Sequence, residues 1–142
     1  MSGQGQDPMA ISIVRVDREM TAELNRKEDS DQFRLVLELS EEPSQEWCKA
    51  FQQNWRSGFR LPFGLPDPPE AKIDGQRLVI GPTMLRHVKK GWIPLAKKAV
   101  PAATNDVRRA ADEAERAEAS YWERATPMFD EFDALIQAED DA

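Results

Sequence analysis

Cys48 and His87 are the residues of this 142-residue chain most suited to nucleophilic or acid–base chemistry, and each is the single residue of its type. A cysteine nucleophile needs an adjacent base that draws off its proton. Cys48 follows Trp47 on an amphipathic stretch, a setting where free cysteines are ordinarily buried and inert. His87 sits in LRHVKK, near Leu85 and Val88, as an ordinary partly exposed histidine would. One cysteine forms no internal disulfide, and one Cys with one His cannot complete a four-ligand zinc site. Asp112, Glu115 and Glu118 lie among arginines at helical spacing, where solvated ion pairs are expected. Gly3 and Gly5 precede any strand and make no phosphate loop. The expectation is a non-enzyme with no cofactor and no metal.

Binding surfaces are better marked than catalytic ones. Val107, Ala110, Ala114, Ala117, Tyr121, Ala125, Met128, Phe132 and Leu135 step by threes and fours, which predicts one continuous helical seam. Before Tyr121 the seam is mostly alanine, so a second helix can approach closely. In FRLPFGLPDPP, Phe59, Leu61, Phe63 and Leu65 alternate with small or turn-forming residues. The prolines stiffen that loop and lower the entropy lost on ordering it. It reads either as a lid on the core or as an apolar docking loop. On an unbroken helix, Arg86, Lys90, Lys97 and Arg108 would fall within about 40° of one another, a spacing able to track phosphates with Trp92 nearby.

Charge is unevenly distributed around a net of −7. Residues 1–42 carry 5 basic and 10 acidic side chains, residues 43–100 carry 10 and 4, and residues 101–142 carry 4 and 12. A basic middle lies between acidic ends. The overall sign disfavours non-specific nucleic-acid binding while leaving room for a local basic patch. No apolar run approaches the length of a membrane span, and residues 1–10 lack the pattern of a signal peptide, so a cytoplasmic location is expected.

These surfaces need elements to hold them. Residues 11–16 and 33–39 read as strands, the second alternating Phe33, Leu35, Leu37 and Leu39 with Arg34, Val36 and Glu38. The charged connector 17–32 reads as a loop or a short helical turn. Residues 43–56 form an amphipathic helix with Trp47, Phe51 and Trp55 on one face and Pro43 at its start. Asp74-Gly75 predicts a hairpin between strands 70–74 and 76–80. Pro82 and Thr83 can open a helix ending near Gly91, a second can start near Pro94, and Pro101 would kink or divide it. Residues 103–126 are strongly helical, Pro127 interrupts them, and 128–138 form a last amphipathic helix.

The expected architecture is α+β in the order β-β-α-β-β-α. A small four-stranded antiparallel sheet carries one packed helix, followed by a long, kinked C-terminal helical extension. Residues 1–8 form a flexible lead or an expression remnant, 9–100 the core domain, 101–138 the extension and 139–142 an acidic tail. The expected function is a protein–protein interaction module, a homodimer or the holder of a protein partner, acting through the C-terminal helices and the proline-rich loop. The alternatives are a nucleic-acid-associated protein using the basic 86–109 stretch, or an acidic DNA-mimicking inhibitor.

Overall fold

The computed structural model describes residues 10–26, 32–57 and 64–141. Four strands, β1 (Ile13–Val16), β2 (Gln32–Leu39), β3 (Ala71–Asp74) and β4 (Arg77–Met84), form one antiparallel sheet in the order β1-β2-β4-β3. Helix α1 (Arg18–Asn25) joins β1 to β2, and α2 (Gln45–Ser57) follows β2. After β4, a short turn α3 (Leu85–His87), a π-helical turn (Val88–Trp92) and α4 (Ile93–Asp141) run on without a break. The α+β class and the long C-terminal helix agree with the sequence pattern. The chain forms two units, Met1–Val107 and Arg108–Ala142, with α4 contributing to both.

In the first unit, the alternation along β2 sends Leu35, Leu37 and Leu39 to one face, where Leu78 and Ile80 of β4 and Ala71 of β3 join them. Helix α2 lays Trp47, Phe51 and Trp55 on that face, their rings stacked at 5.6 and 5.8 Å. Trp92 continues the stack at 6.3 Å from Trp55, and Leu95, Ala96, Ala99, Val100 and Ala103 of α4 complete the core. An indole N–H is costly to bury without an acceptor. Each of the three has one: Trp47 donates to Thr104 Oγ1 at 3.0 Å, Trp92 to Thr83 Oγ1 at 2.8 Å, and Trp55 to the Pro69 carbonyl at 2.7 Å. Removing a ring of this size from such a core costs about 3–5 kcal/mol.

Several local readings need correction. The 17–32 connector contains a true helix, capped by Asp17, whose carboxylate accepts from the Met20 N–H at 3.1 Å. Helix α2 starts at Gln45 because Ser44 is the cap, accepting from the Trp47 N–H at 3.2 Å; Pro43 precedes it. The β3–β4 turn is Gly75-Gln76, with Asp74 paired to Arg77 and Gly75 at φ 61°, as a two-residue hairpin with glycine first requires.

Pro82 and Thr83 open no helix; they extend β4, and the helical run begins at Leu85. A register shift opposite Phe33 and Leu35 places Gly81 at φ 133°, where a Cβ would meet the Phe33 carbonyl at 2.6 Å. Only glycine fits that bulge. Gly91 ends no helix either. It lies in the π-helical turn, with Leu65 occupying the space a side chain would need. Pro94, Pro101 and Pro127 all lie within α4, so the expected breaks at Pro101 and Pro127 do not occur. Each proline forfeits one backbone hydrogen bond without stopping the helix.

Candidate interaction surface

In the second unit, the described side chains from Tyr121 to Ile136 form an exposed apolar face. Tyr121, Trp122, Met128, Phe129, Phe132, Leu135 and Ile136 are each 37–59% exposed. Pairs of large apolar residues recur at 121/122, 128/129 and 135/136, every seven positions, with Ala125 and Phe132 filling the turns between. This is a heptad with Tyr121, Met128 and Leu135 at d, Ala125 and Phe132 at a, and Trp122, Phe129 and Ile136 at e. At 100° per residue these positions span a stripe about 140° wide.

The rings order one another along the stripe. Tyr121 and Trp122 meet edge to face at 5.4 Å, Trp122 and Phe129 at 5.8 Å, and Phe129 and Phe132 tilt together at 6.4 Å. Trp122 donates its indole N–H to Glu118 Oε2 one turn earlier, at 2.7 Å. Ala125, flanked one turn away by these large residues, is only 3% exposed. Pro127 lies on the opposite side of the helix by the same angular count, so its missing N–H is remote from the stripe.

Of the residues expected on the seam, Tyr121, Met128, Phe132 and Leu135 lie on this stripe and are exposed, as are Ala110, Ala114 and Ala117; Val107 is half-buried against the core of the first unit. Trp122, Phe129 and Ile136 were missed by a count that took one residue per turn. Their signal is the repeated pair of adjacent apolar residues, seven apart.

Of the loop residues, Phe59, Leu61 and Phe63 lie outside the described residues. Leu65 is half-buried and packs on the core. Below the described part of the loop is a crevice of about 470 Å³ lined by Gln52, Trp55 and residues 67–71. Arg56 also lines it, and two of its donors are already engaged, Trp55 by the Pro69 carbonyl and Gln52 by that of Ala71.

Arg86, Lys90, Lys97 and Arg108 are all exposed. The π-helical turn carries one residue more than an α-turn, which rotates Arg86 by about 100° relative to Lys97. Arg108 falls in the second unit.

A cavity of about 1100 Å³ is an open depression at one end of the sheet. Across it runs a row of alternating charge, one residue per strand: Arg15 opposite Glu38, Glu38 opposite Arg77, and Arg77 opposite Asp74. Arg15 Nε bonds Glu38 at 2.8 Å, and Arg77 Nε turns to Asp17 at 2.9 Å. These charges answer one another and fix strand register more than they invite a ligand.

Cys48 is half-buried, and burial, followed by the Glu42 carboxylate, pushes its thiol pKa up. That makes it a poorer nucleophile. His87 packs edge-on against Trp92 at 6.4 Å. Among the described residues no three His, Cys, Asp or Glu side chains gather as a metal-ion set, and no helix is long and apolar enough to cross a membrane.

Comparison with known proteins gives no match: no family model, no curated protein and no solved structure is significantly similar to the chain.

Proposed function

We propose that the protein is a non-enzymatic interaction module that self-associates or holds a protein partner through the C-terminal helix. The observation that carries this reading is the exposed heptad face from Tyr121 to Ile136. Contiguous apolar patches on a single soluble chain rarely exceed a few hundred Å² unless another molecule covers them. A stripe of this width and period fits the face of a partner helix better than a small-molecule site, because it is convex and has no enclosing wall.

The test is capture by the tagged full-length chain, with two tags co-expressed so that a second copy and a different protein are scored separately. The wild type is expected to retain one of them at stoichiometric amounts through moderate salt and nuclease. Trp122→Ser/Phe129→Ser/Phe132→Ser should lose it. Equal capture by wild type and variant, or capture by neither, removes the C-terminal helix from this role.

A further inference from the structure

The apolar face of the second unit has the size and the charge pattern of half a homodimer. Seven large side chains, each about half exposed, present on the order of 600 Å² of apolar surface, against about 800 Å² per partner in a standard stable interface. The charge pattern then decides the orientation. Residues 125–142 hold six carboxylates and no cation, while Arg108, Arg109, Arg116 and Arg124 all precede them. Parallel pairing would lay one acidic end along another. Antiparallel pairing lays each along the nearly neutral half of the partner, where those four arginines stand among five carboxylates, and so relieves that repulsion.

The heptad gives the same answer residue by residue. A two-fold axis between Thr126 and Pro127 sets Ala125 against the partner's Met128 and Phe132 against the partner's Tyr121, as a-to-d layers require. On one flank Trp122 then lies beside the partner's Phe129. On the other, Arg124 lies beside the partner's Glu131, and symmetry repeats each pair. Parallel, in-register pairing would stack Ala125 on its own copy, Phe132 on its own copy and Glu118 on its own copy. It would also leave Arg124 and Glu131 beside apolar flanks.

We propose that the C-terminal helix pairs antiparallel with the same helix of a second copy of the chain, in the register that joins Arg124 to the partner's Glu131. This rests on reading the helix as an interaction surface and adds the occupant, the direction and the register.

Sedimentation velocity of the full-length chain across the micromolar range, at low salt, tests it with Arg124→Glu, Glu131→Arg and the double exchange. Wild type should be dimeric. Each single reversal turns two attractive contacts repulsive and should weaken the dimer about tenfold, and the double exchange should restore it. A monomeric wild type overturns pairing with a second copy. The reading as a partner-holding module then stands or falls separately, on the capture of a different protein. A dimer indifferent to both single reversals, or a double exchange no better than either, overturns the antiparallel register.

Discussion

The side chain of Asn25 makes both of the backbone hydrogen bonds that a neighbouring strand would make to Arg34. Its Nδ2 donates to the Arg34 carbonyl at 2.7 Å, and its Oδ1 accepts from the Arg34 N–H at 2.8 Å. One turn earlier Thr21 Oγ1 accepts from the Val36 N–H at 3.1 Å, and at the cap the Asp17 N–H donates to the Val36 carbonyl at 2.9 Å. Strand β1 pairs only with residues 37–39 of β2. Asp17, Thr21 and Asn25, spaced by four along α1, continue the ladder where that strand stops. A helix thus closes an edge that would otherwise offer itself to another chain.

Asn25→Ala leaves the Arg34 N–H and carbonyl without these partners. The expected loss is about 1–3 kcal/mol of folding stability, read as a lower urea midpoint at unchanged slope. Asn25→Asp keeps the acceptor and loses the donor, so it should fall between wild type and alanine. A midpoint unchanged by Asn25→Ala would show that water serves the edge equally well.

The role of Asn25 was invisible in the sequence for a physical reason. Residues 17–32 carry a high charge density and no strong period, and what makes α1 matter is the lateral contact of two polar side chains, Thr21 and Asn25, and of the Asp17 N–H with a strand. Periodicity does report burial, which is why α2 was legible from Trp47, Phe51 and Trp55, and β2 from its alternating leucines. It does not report phase through a proline. Pro82 predicts a helix start because proline suits a first turn, yet it equally suits a bulged strand beside Gly81. The C-terminal face was half legible: the steps by three and four mark the seam, while its full width shows only when adjacent apolar pairs seven apart are counted.

Two glycines should respond unequally to alanine. Gly81 has φ 133°, and a Cβ there would press on the Phe33 carbonyl at 2.6 Å and on Arg34 Cα at 3.1 Å, both backbone. Neither can yield without breaking the β2–β4 register, so Gly81→Ala should cost upwards of about 2 kcal/mol. At Gly91 the obstacle is Leu65 Cδ1 at 2.5 Å, the end of a flexible side chain on a loop. Removing glycine from a helical run gains up to about 1 kcal/mol. Gly91→Ala should therefore stay within about 1 kcal/mol of wild type. Thermal unfolding of both variants side by side decides it, and a larger loss at Gly91 would mean that Leu65 is held rigidly.

Asp17 links α1 to acid stability. The Met20 N–H, and after it the Arg77 guanidinium, hold its carboxyl below the ordinary range, against the opposing effect of desolvation. A native pKa below the unfolded one contributes stability that is present above the unfolded value, about 3.9, and is lost as pH falls through the native value. Asp17→Asn keeps a cap acceptor and removes the charge. The gap between wild type and Asp17→Asn should be full at pH 6 and shrink as the pH drops below about 4. Urea midpoints taken across that range give the gap directly; one that stays constant would mean that the carboxylate's charge contributes nothing.

The core of the first unit is complete before the second begins. Its buried members run from Ile11 to Ala103, with Val107 packed at the margin. The hydrogen bond from Trp47 to Thr104 and that from Asn54 to Asp106, at 2.9 Å, also close within it. A chain ending after Ala110 should therefore unfold cooperatively, within about 0.5 kcal/mol of the full-length protein measured at a concentration where both are monomeric. The same shortened chain should lose all dependence of its unfolding midpoint on protein concentration, which the full-length chain shows if association stabilises it. Loss of cooperativity on shortening would make the helix beyond residue 110 part of the fold, and its apolar face would then serve the chain itself before any partner.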